Sequence, residues 1–578
     1  MAKTRIIGSE LLCSCLEQLE INCVFGLPGS ENLELYEALR HSSIRTVLAT
    51  HELAATFMAN GYYRSSGRLG VVLTVPGPGI TYALTGLAEA FLDSAAVLCL
   101  TGVPAKTPGN RFQIQAVDQR AMASPVVKKT FRVETVSSLS RILSEAHRTA
   151  LADEPGPVLV EIEKSVLSER IEDLSQDSLP PNPLRQSPDP ILLQQVIDIL
   201  KSLSRVVLYV GQGASDASDQ VKKTAELLRA PVLTTTSGRG VMPENHPLSF
   251  LVDAAIGNVG FANQLIHSSD LVLALGCKFS HNGAHGFQLR IPSEKLIQID
   301  TSVDVLGANY PARMTLAADV RSFLNEVLRH KEVLEGRAKG WSPKDLQQRH
   351  EQIREGCSME YLEPRISKIH PPTPDMFFGI LRKVLPAHSC LVADSGLHQM
   401  LTRRYFTVLA PRGLVVPSDF QSMGFGLPAA IGAALAASER PVVAVIGDGG
   451  FAISGMELLT AVRERIPLTV IVFNDGRLNQ IRFQQLAAYG RSKNVDLLNP
   501  DFGAFANAMG VRYARIDGDA EQVLRRAIYG KHVTLVEVPV GDSPAIHLVR
   551  AKGRARDAMR RTLPPSVVDW LKHRLRKS

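Results

Sequence analysis

The chain has 578 residues, 45% of them apolar and 21% charged, a length that one core does not sustain and that divides into roughly three to four domains of an ordinary globular protein. The formal net charge of +7 is local: ten Lys/Arg against two Asp between Arg550 and Ser578 give +8 there and leave a body close to neutral. That excludes a basic face for nucleic acid, and no apolar run nears the roughly 18 residues of a membrane span.

In chain order, MAKTRIIGSELLCSCLEQLE spreads its charges through an amphipathic helix and lacks the apolar stretch of a signal peptide. Seven scattered cysteines, an odd number without metal-site spacing, read as reduced thiols of a cytoplasmic compartment. GVVLTV, AAVLCLTG and GPVLVEI then alternate with helical stretches such as ELAATFMANGYYRSSG, up to a Pro/Ser/Asp-rich break at residues 171–190. RVVLYVG, APVLTTT, DLVLALG and KLIQID follow; a charged helical stretch from about Arg329 ends at IHPPTP, residues 369–374. Beyond it come SCLVADSG, PVVAVIGDGG, LTVIVFND and VTLVEVPV. Continuous apolar strands alternating with helices predict parallel sheets covered on both faces. The fold class is therefore α/β, three consecutive doubly wound parallel-sheet domains at residues 1–172, 188–345 and 372–548. The basic tail, 549–578, is expected to be a solvated or locally docked helix. Ligands belong beyond the carboxyl ends of such strands.

One βαβ unit stands out. PVVAVIG ends at Gly447-Asp448-Gly449, and LTVIVF ends at Asn474-Asp475. The crossover helix is expected to begin after Gly450 and to carry Leu458, Leu459, Val462 and Ile466 on one face. Parallel strands emerge on the same side, which predicts that Asp448 and Asp475 are neighbours. Two oxygen ligands there, with glycines admitting close backbone approach, suit a magnesium ion that holds a diphosphate.

Gly-Asp-Gly, then 24 residues, then a polar pair resembles the diphosphate-binding motif of thiamine-diphosphate enzymes. That family usually closes with Asn-Asn; Asp475 at the second position keeps a hard oxygen ligand and adds a charge. The resemblance implies Asp448, Asp475 and the carbonyl of Arg477 as metal ligands, with Gly447, Gly449, Gly450 and Leu478 around the cofactor. In LATHELAA it implies that Glu52 is the carboxylate that favours the imino tautomer of the aminopyrimidine; the bland reading is an acid in a helix's first turn. SDFQSMGFGLPAAIGAA is similar to the segment in which an apolar fulcrum, here Met423, bends the cofactor and a carbonyl, here Gln421, accepts from its amino group; ordinary core packing is the competing role for Met423. DSGLHQM resembles the terminal-phosphate loop, giving Ser395, Gly396 and His398, the last otherwise a satisfied core histidine.

The acetolactate (acetohydroxyacid) synthase branch is the most similar, over about residues 4–545: VFGLPGSENLELYEAL, with Pro28 and Gly29, TVPGPGITYALTGLAEAFLDS, HQM and NHPLSF carry the likeness. RFQIQAVDQRAMASPVVKK resembles the segment whose Gln faces the cofactor, and alignment through Asp118 and Lys128 selects Gln115 over Gln113. The three domains are then pyrimidine-binding, middle and diphosphate-binding. Glu52 and Asp448 of different chains serve one cofactor, in a homodimer at least, with a homotetramer common. The implied activity is a lyase or carboligase acting on a 2-oxo acid, pyruvate, and an acceptor carbonyl compound. Leu27, Ser30, Pro76, Asn479 and Gln484 depart from the branch near the substrate and leave the acceptor open. FAD is left open too: LYVGQGA, with Gly211 and Gly213, and Asp300 of IQID could line an adenine-nucleotide site, but Lys278 is the one basic residue at the flavin-contacting position. The alternatives are a 2-hydroxyacyl-CoA lyase or oxo-acid decarboxylase, the tail holding coenzyme A phosphates, and a catalytically silent relative that still binds the cofactor. A nicotinamide oxidoreductase predicts a Gly-x-Gly-x-x-Gly fingerprint that the chain lacks.

Overall fold

Val-, Ile- and Leu-rich runs bounded by Gly or Pro become the central strands of three separate parallel sheets in a computed structural model that describes residues 5–103, 111–172, 185–336, 340–355, 365–366, 373–437 and 439–562. The first sheet runs Arg45–Leu48, Cys23–Gly26, Gly70–Thr74, Val97–Gly102, Val158–Ile162, Lys129–Val133. The middle one runs Ser249–Phe250, Val232–Thr234, Val206–Val210, Leu271–Leu275, Leu296–Asp300, Met314–Ala317. The third runs Leu414–Val415, Cys390–Ala393, Val442–Gly447, Thr469–Asn474, Thr534–Gly541, Arg512–Arg515, with Arg365–Ile366 antiparallel on Thr534–Gly541. A short antiparallel pair, Arg5–Ile7 on Arg170–Glu172, ties the two ends of the first unit together.

The first and third units share one continuous core. At its centre helix Glu52–Ser66 crosses helix Gly426–Ala436 at backbone contact. A Cβ on Gly61 would lie 2.1 Å from the Ala429 carbonyl oxygen, and one on Gly432 would lie 1.9 Å from that of Met58. Only glycine permits this approach.

Buried charge completes the junction. Arg64 Nη1 stands 2.6 Å from Asp93 and donates to the carbonyl of Val416, and Asp93 accepts from the backbone N–H of Ser418. Arg403 pairs with Asp253 of the middle unit at 2.7 Å; Arg239, paired with Glu244, donates to the carbonyls of Arg403 and Phe406. Glu89 accepts from the Ser422 N–H at 2.8 Å, and burial, with Asp93 nearby, pushes its carboxyl up to about 9.

The crossover after Gly447 differs from the expected single helix. The helix starts at Asp448, stops at Ser454, passes through a tight turn at Gly455–Glu457 and resumes as Leu458–Arg463. Leu458 and Ile466 are buried, but the break rotates Leu459 outward to 36% exposure. The described part of the basic tail forms helix Ile546–Thr562, docked on Asn479–Tyr489 so closely that a Cβ on Gly553 would lie 1.9 Å from the Leu486 carbonyl. Six cysteines are free and buried; Cys357 lies outside the described residues, as do 173–184 of the first break and 367–372 of the second. Among the described residues no helix is long and apolar enough to cross a membrane.

Gly432→Ala is expected to lower the denaturant midpoint at a cost of about 1–3 kcal/mol or more. Gly379→Ala, in helix Pro374–Val384 with nothing within 4 Å of the new methyl, should instead stabilise by up to ~1 kcal/mol. Unfolded Glu89 titrates near the ordinary 4.5 and folded Glu89 near 9, so the native state holds a proton that the unfolded state gives up. This contribution therefore falls as pH rises through that window. Glu89→Gln should flatten the decline of stability between pH 5 and 9 in urea titrations.

Candidate active site

The carboxyl ends of Val442–Gly447 and Thr469–Asn474 lie side by side, and one side chain stitches their loops together. Asp448 Oδ1 accepts from the Gly449 N–H at 2.8 Å, and Oδ2 accepts from the Gly476 N–H at 2.7 Å. Asp475 accepts from the Arg477 N–H at 3.0 Å. Its carboxyl is pushed up to about 7, first by burial and then by the charge of Asp448. Two acids held this close call for a cation. The Arg477 guanidinium turns away to Asp496 and Asp542, at 3.2 and 3.3 Å.

All twelve third-domain residues singled out from the sequence, Ser395 to Leu478, line one cavity of about 650 Å³. His398 lies against Gly447, its Nδ1 2.8 Å from where a Cβ would stand. Burial pushes the ring down to about 3, so it is neutral, and its buried Nε2 has no partner among the described residues. Ser395 Oγ lies 3.3 Å from Gln421 Oε1, and Gln421 holds a left-handed backbone (φ +66°), a strained conformation for a residue with a side chain. Met423 is 37% exposed; its Cε and Leu478 Cδ2 flank Gly449, 3.2 and 2.8 Å from a Cβ placed there. A Cβ on Gly450 would meet Asp394 Oδ2 at 2.1 Å, so that glycine makes room for a buried acid.

The first-domain candidates gather elsewhere, around the turn Val75–Gly79. A Cβ on Gly29, beside Pro28, would lie 2.4 Å from Val75; one on Gly79 would lie 3.2 Å from Glu52 Oε1; one on Gly77 would lie 2.8 Å from the Gln115 Cβ. Glu52 is half-buried at the start of its helix, and Gln115 has a left-handed backbone (φ +57°). The Tyr36 hydroxyl is buried without a partner, and burial, then the charge of Glu52, raises its pKa. Among the described residues, none from the first domain lines the third-domain cavity. Tyr82, Ile114 and Phe112, the last 96% exposed, leave the surroundings of this turn apolar and bare.

Sequence reading missed four contributors. Asn499 Nδ2 donates to Asp448 Oδ2 at 2.7 Å and to Asn474 Oδ1 at 2.8 Å, from a loop with no motif of its own. Asp394 accepts from the N–H groups of Ser395, Gly424 and Phe425, joining two loops of the cavity wall; its place at the start of Asp-Ser-Gly could have marked it. His281 and Asn282 reach the cavity from the middle domain, which no local spacing foretells.

Three family models match in succession: residues 6–122 match the thiamine pyrophosphate enzyme N-terminal TPP-binding domain, 193–327 its central domain and 394–538 its C-terminal TPP-binding domain. The chain belongs to the thiamine pyrophosphate enzymes. This thiamine pyrophosphate enzyme is 30% identical to a probable acetolactate synthase large subunit of Methanococcus aeolicus, over 94% of its own length and 93% of the relative's. It is 29% identical to that of Methanocaldococcus jannaschii (95% and 94%) and 28% identical to the acetolactate synthase large subunit of Lactococcus lactis (88% and 88%).

Gly450→Ala should lower the melting temperature, at about 1–3 kcal/mol. Combined with Asp394→Ala, which vacates the contested space, the double variant should cost less than the sum of the single changes. Thermal melts of the three variants measure this.

Proposed function

We propose that this enzyme holds thiamine diphosphate through Mg²⁺ and acts as a lyase or carboligase on a 2-oxo acid, pyruvate, in the manner of the acetolactate synthases it resembles. The observation that carries the reading is the pair of buried Asp448 and half-buried Asp475 at adjoining strand ends. The set fits the metal. Among the described residues no three His, Cys, Asp or Glu side chains cluster, and two carboxylates plus a carbonyl suit Mg²⁺, which keeps several waters. The unpartnered Nε2 of His398 fits a phosphate oxygen beside that metal.

Under this reading the residues divide the work. Asp448, Asp475 and the Arg477 carbonyl hold the metal, and His398 and Ser395 bind the outer phosphate. Met423, with Leu478 beside it at Gly449, would support the cofactor's rings, and the Gln421 carbonyl would accept from the pyrimidine amino group. When bound, thiamine diphosphate supplies the electron sink for decarboxylation. Glu52, beside the turn Val75–Gly79, would hold a proton toward the pyrimidine ring, and Gln115 would face the substrate.

Glu52 and Gln115 belong to a different copy of the chain from the metal ligands. The support is that among the described residues the cavity has no first-domain wall, while apolar side chains on both half-sites stand exposed, Tyr82 and Phe112 on one, Ile453 and Met456 on the other. A homodimer that pairs the two faces, or a tetramer of such dimers, closes the site. The free buried thiols support a cytoplasmic location.

Flavin does not fit this reading. The middle-domain cavity, about 310 Å³, is lined by seven acids, Asp93, Glu154, Asp216 and Asp300 among them, against Lys278 and Arg412. Lys278 is paired with Glu154 and donates to Ser94, and Arg412 is paired with Asp216. Gly211 is pressed on the Gly276 carbonyl, where a Cβ would stand 2.1 Å away. Such a wall repels a dinucleotide's diphosphate.

Glu52→Gln should cut turnover and exchange of the cofactor's C2 proton by about 10²–10⁴-fold while calorimetric cofactor affinity stays within about twofold; undiminished exchange would remove Glu52 from the mechanism. Asp475→Ala should raise the Mg²⁺ needed to retain cofactor by about tenfold or more, read by equilibrium dialysis.

A further inference from the structure

A second cavity, of about 300 Å³, opens off the first. Ala255, Leu397, Met400, Leu401 and Gln480 line both, so the spaces adjoin. Three helices wall it, each with one face. Leu397, Met400, Leu401 and Arg404 come from helix Leu397–Tyr405; Gln480, Phe483, Gln484 and Ala487 from Asn479–Tyr489; Leu548, Val549, Lys552 and Arg556 from the C-terminal helix. The recurrence at three, four and seven residues is that of single helix faces.

Followed outward from the shared residues, the wall changes character. Near the candidate cofactor cavity it is Leu397, Met400 and Phe483. Arg404 stands seven residues beyond Leu397, about 10 Å along the helix. Arg556 closes the same end, its Nη1 donating to the Ala487 carbonyl at 3.1 Å. Lys552 is exposed and, among the described residues, has no ion-pair partner. Three cations and no acid line this cavity. The C-terminal helix is held in place by Phe483, Leu486, Ile546 and Val549, which pack into a cluster of their own.

We propose that this cavity receives the far end of the substrate, and that the substrate carries an anionic group there, beyond the segment that passes the apolar wall. The inference rests on the cofactor reading above and names the substrate class for that site. Methylenes between carbonyl and anion leave water for the Leu, Met and Phe wall. A carboxylate or phosphate at the outer end meets the Arg404, Lys552 and Arg556 cations. Gln480 and Gln484 add amides beside the path without opposing charge. Pyruvate is too short to touch the outer end, so this inference keeps the cofactor reading above and replaces pyruvate with a longer substrate. The distal anion has two sources: the second carboxylate of a long 2-oxo dicarboxylic acid, or the phosphates of a coenzyme A thioester.

The test uses the full-length enzyme loaded with thiamine diphosphate and Mg²⁺. Carbon dioxide release is compared between linear 2-oxo monocarboxylic acids and the 2-oxo dicarboxylic acids of equal carbon number. Cleavage of a 2-hydroxyacyl-coenzyme A is compared with that of the same acyl group on pantetheine. In one pair the substrate with the distal anion should have kcat/KM roughly tenfold higher, mainly through KM, and added salt should shrink the gap. A gap confined to the acids names the carboxylate; one confined to the thioesters names the phosphates. Lys552→Glu combined with Arg556→Glu should bring the ratio close to one. Equal values in both pairs, no turnover of either charged substrate, or a ratio the double variant leaves unchanged overturns the proposal. Calorimetric titration with thiamine diphosphate separates the two readings: absent binding overturns the proposed function and this inference with it, whereas binding without a preference for the distal anion overturns this inference alone.

Discussion

The backbone contact between helices Glu52–Ser66 and Gly426–Ala436 is the constraint on which the rest of the molecule depends. With Gly61 and Gly432 at the crossing, carbonyl oxygens of one helix occupy the space where the other would carry methyl groups. Each helix begins at a segment with a proposed chemical role. Glu52 opens the first, and the loop of Gln421 and Met423 leads into the second. Fixing the crossing fixes where both loops point. Because one core runs through the crossing, the first and third domains act as a rigid unit that presents two separate half-sites.

Around that unit the middle domain is held by charge. Arg403–Asp253 and Arg239–Glu244 are nearly fully buried, and the spare guanidinium N–H groups of Arg239 are used on backbone carbonyls of the third domain. Buried pairs repay their desolvation only when every hydrogen-bonding position is used. Arg239 meets that condition by spanning Glu244, Arg403 and Phe406. These contacts set orientation more than they add stability, and they bring His281 and Asn282 to the rim of a cavity otherwise built by the third domain.

Much of this was legible in the sequence for a physical reason. Parallel strands buried on both faces must be continuously apolar, so PVVAVIG and LTVIVF declared themselves, and the geometry of a βαβ unit then made Asp448 and Asp475 neighbours. The break of the crossover at Gly455 was not legible, because Leu458, Leu459, Val462 and Ile466 fit one continuous helical stripe; the turn that rotates Leu459 outward is imposed by packing. Asn499 was invisible because its partners, Asp448 and Asn474, are set by the third dimension alone. The basic tail announced its charge, but its docking rests on the close approach at Gly553 and on Ile546 and Val549 packing with Phe483 and Leu486, which composition does not distinguish.

That glycine has a consequence for how such an enzyme can diversify. The last helix touches Asn479–Tyr489 backbone to backbone at Gly553 and contributes no side chain to the cavity in which Asp448 and Asp475 stand. On the proposed reading the outer wall is separable from the chemistry: drift or recombination in the final few dozen residues can remodel what is accepted while Asp448, Asp475 and Glu52 are inherited untouched, so selectivity and reactivity can evolve on separate clocks.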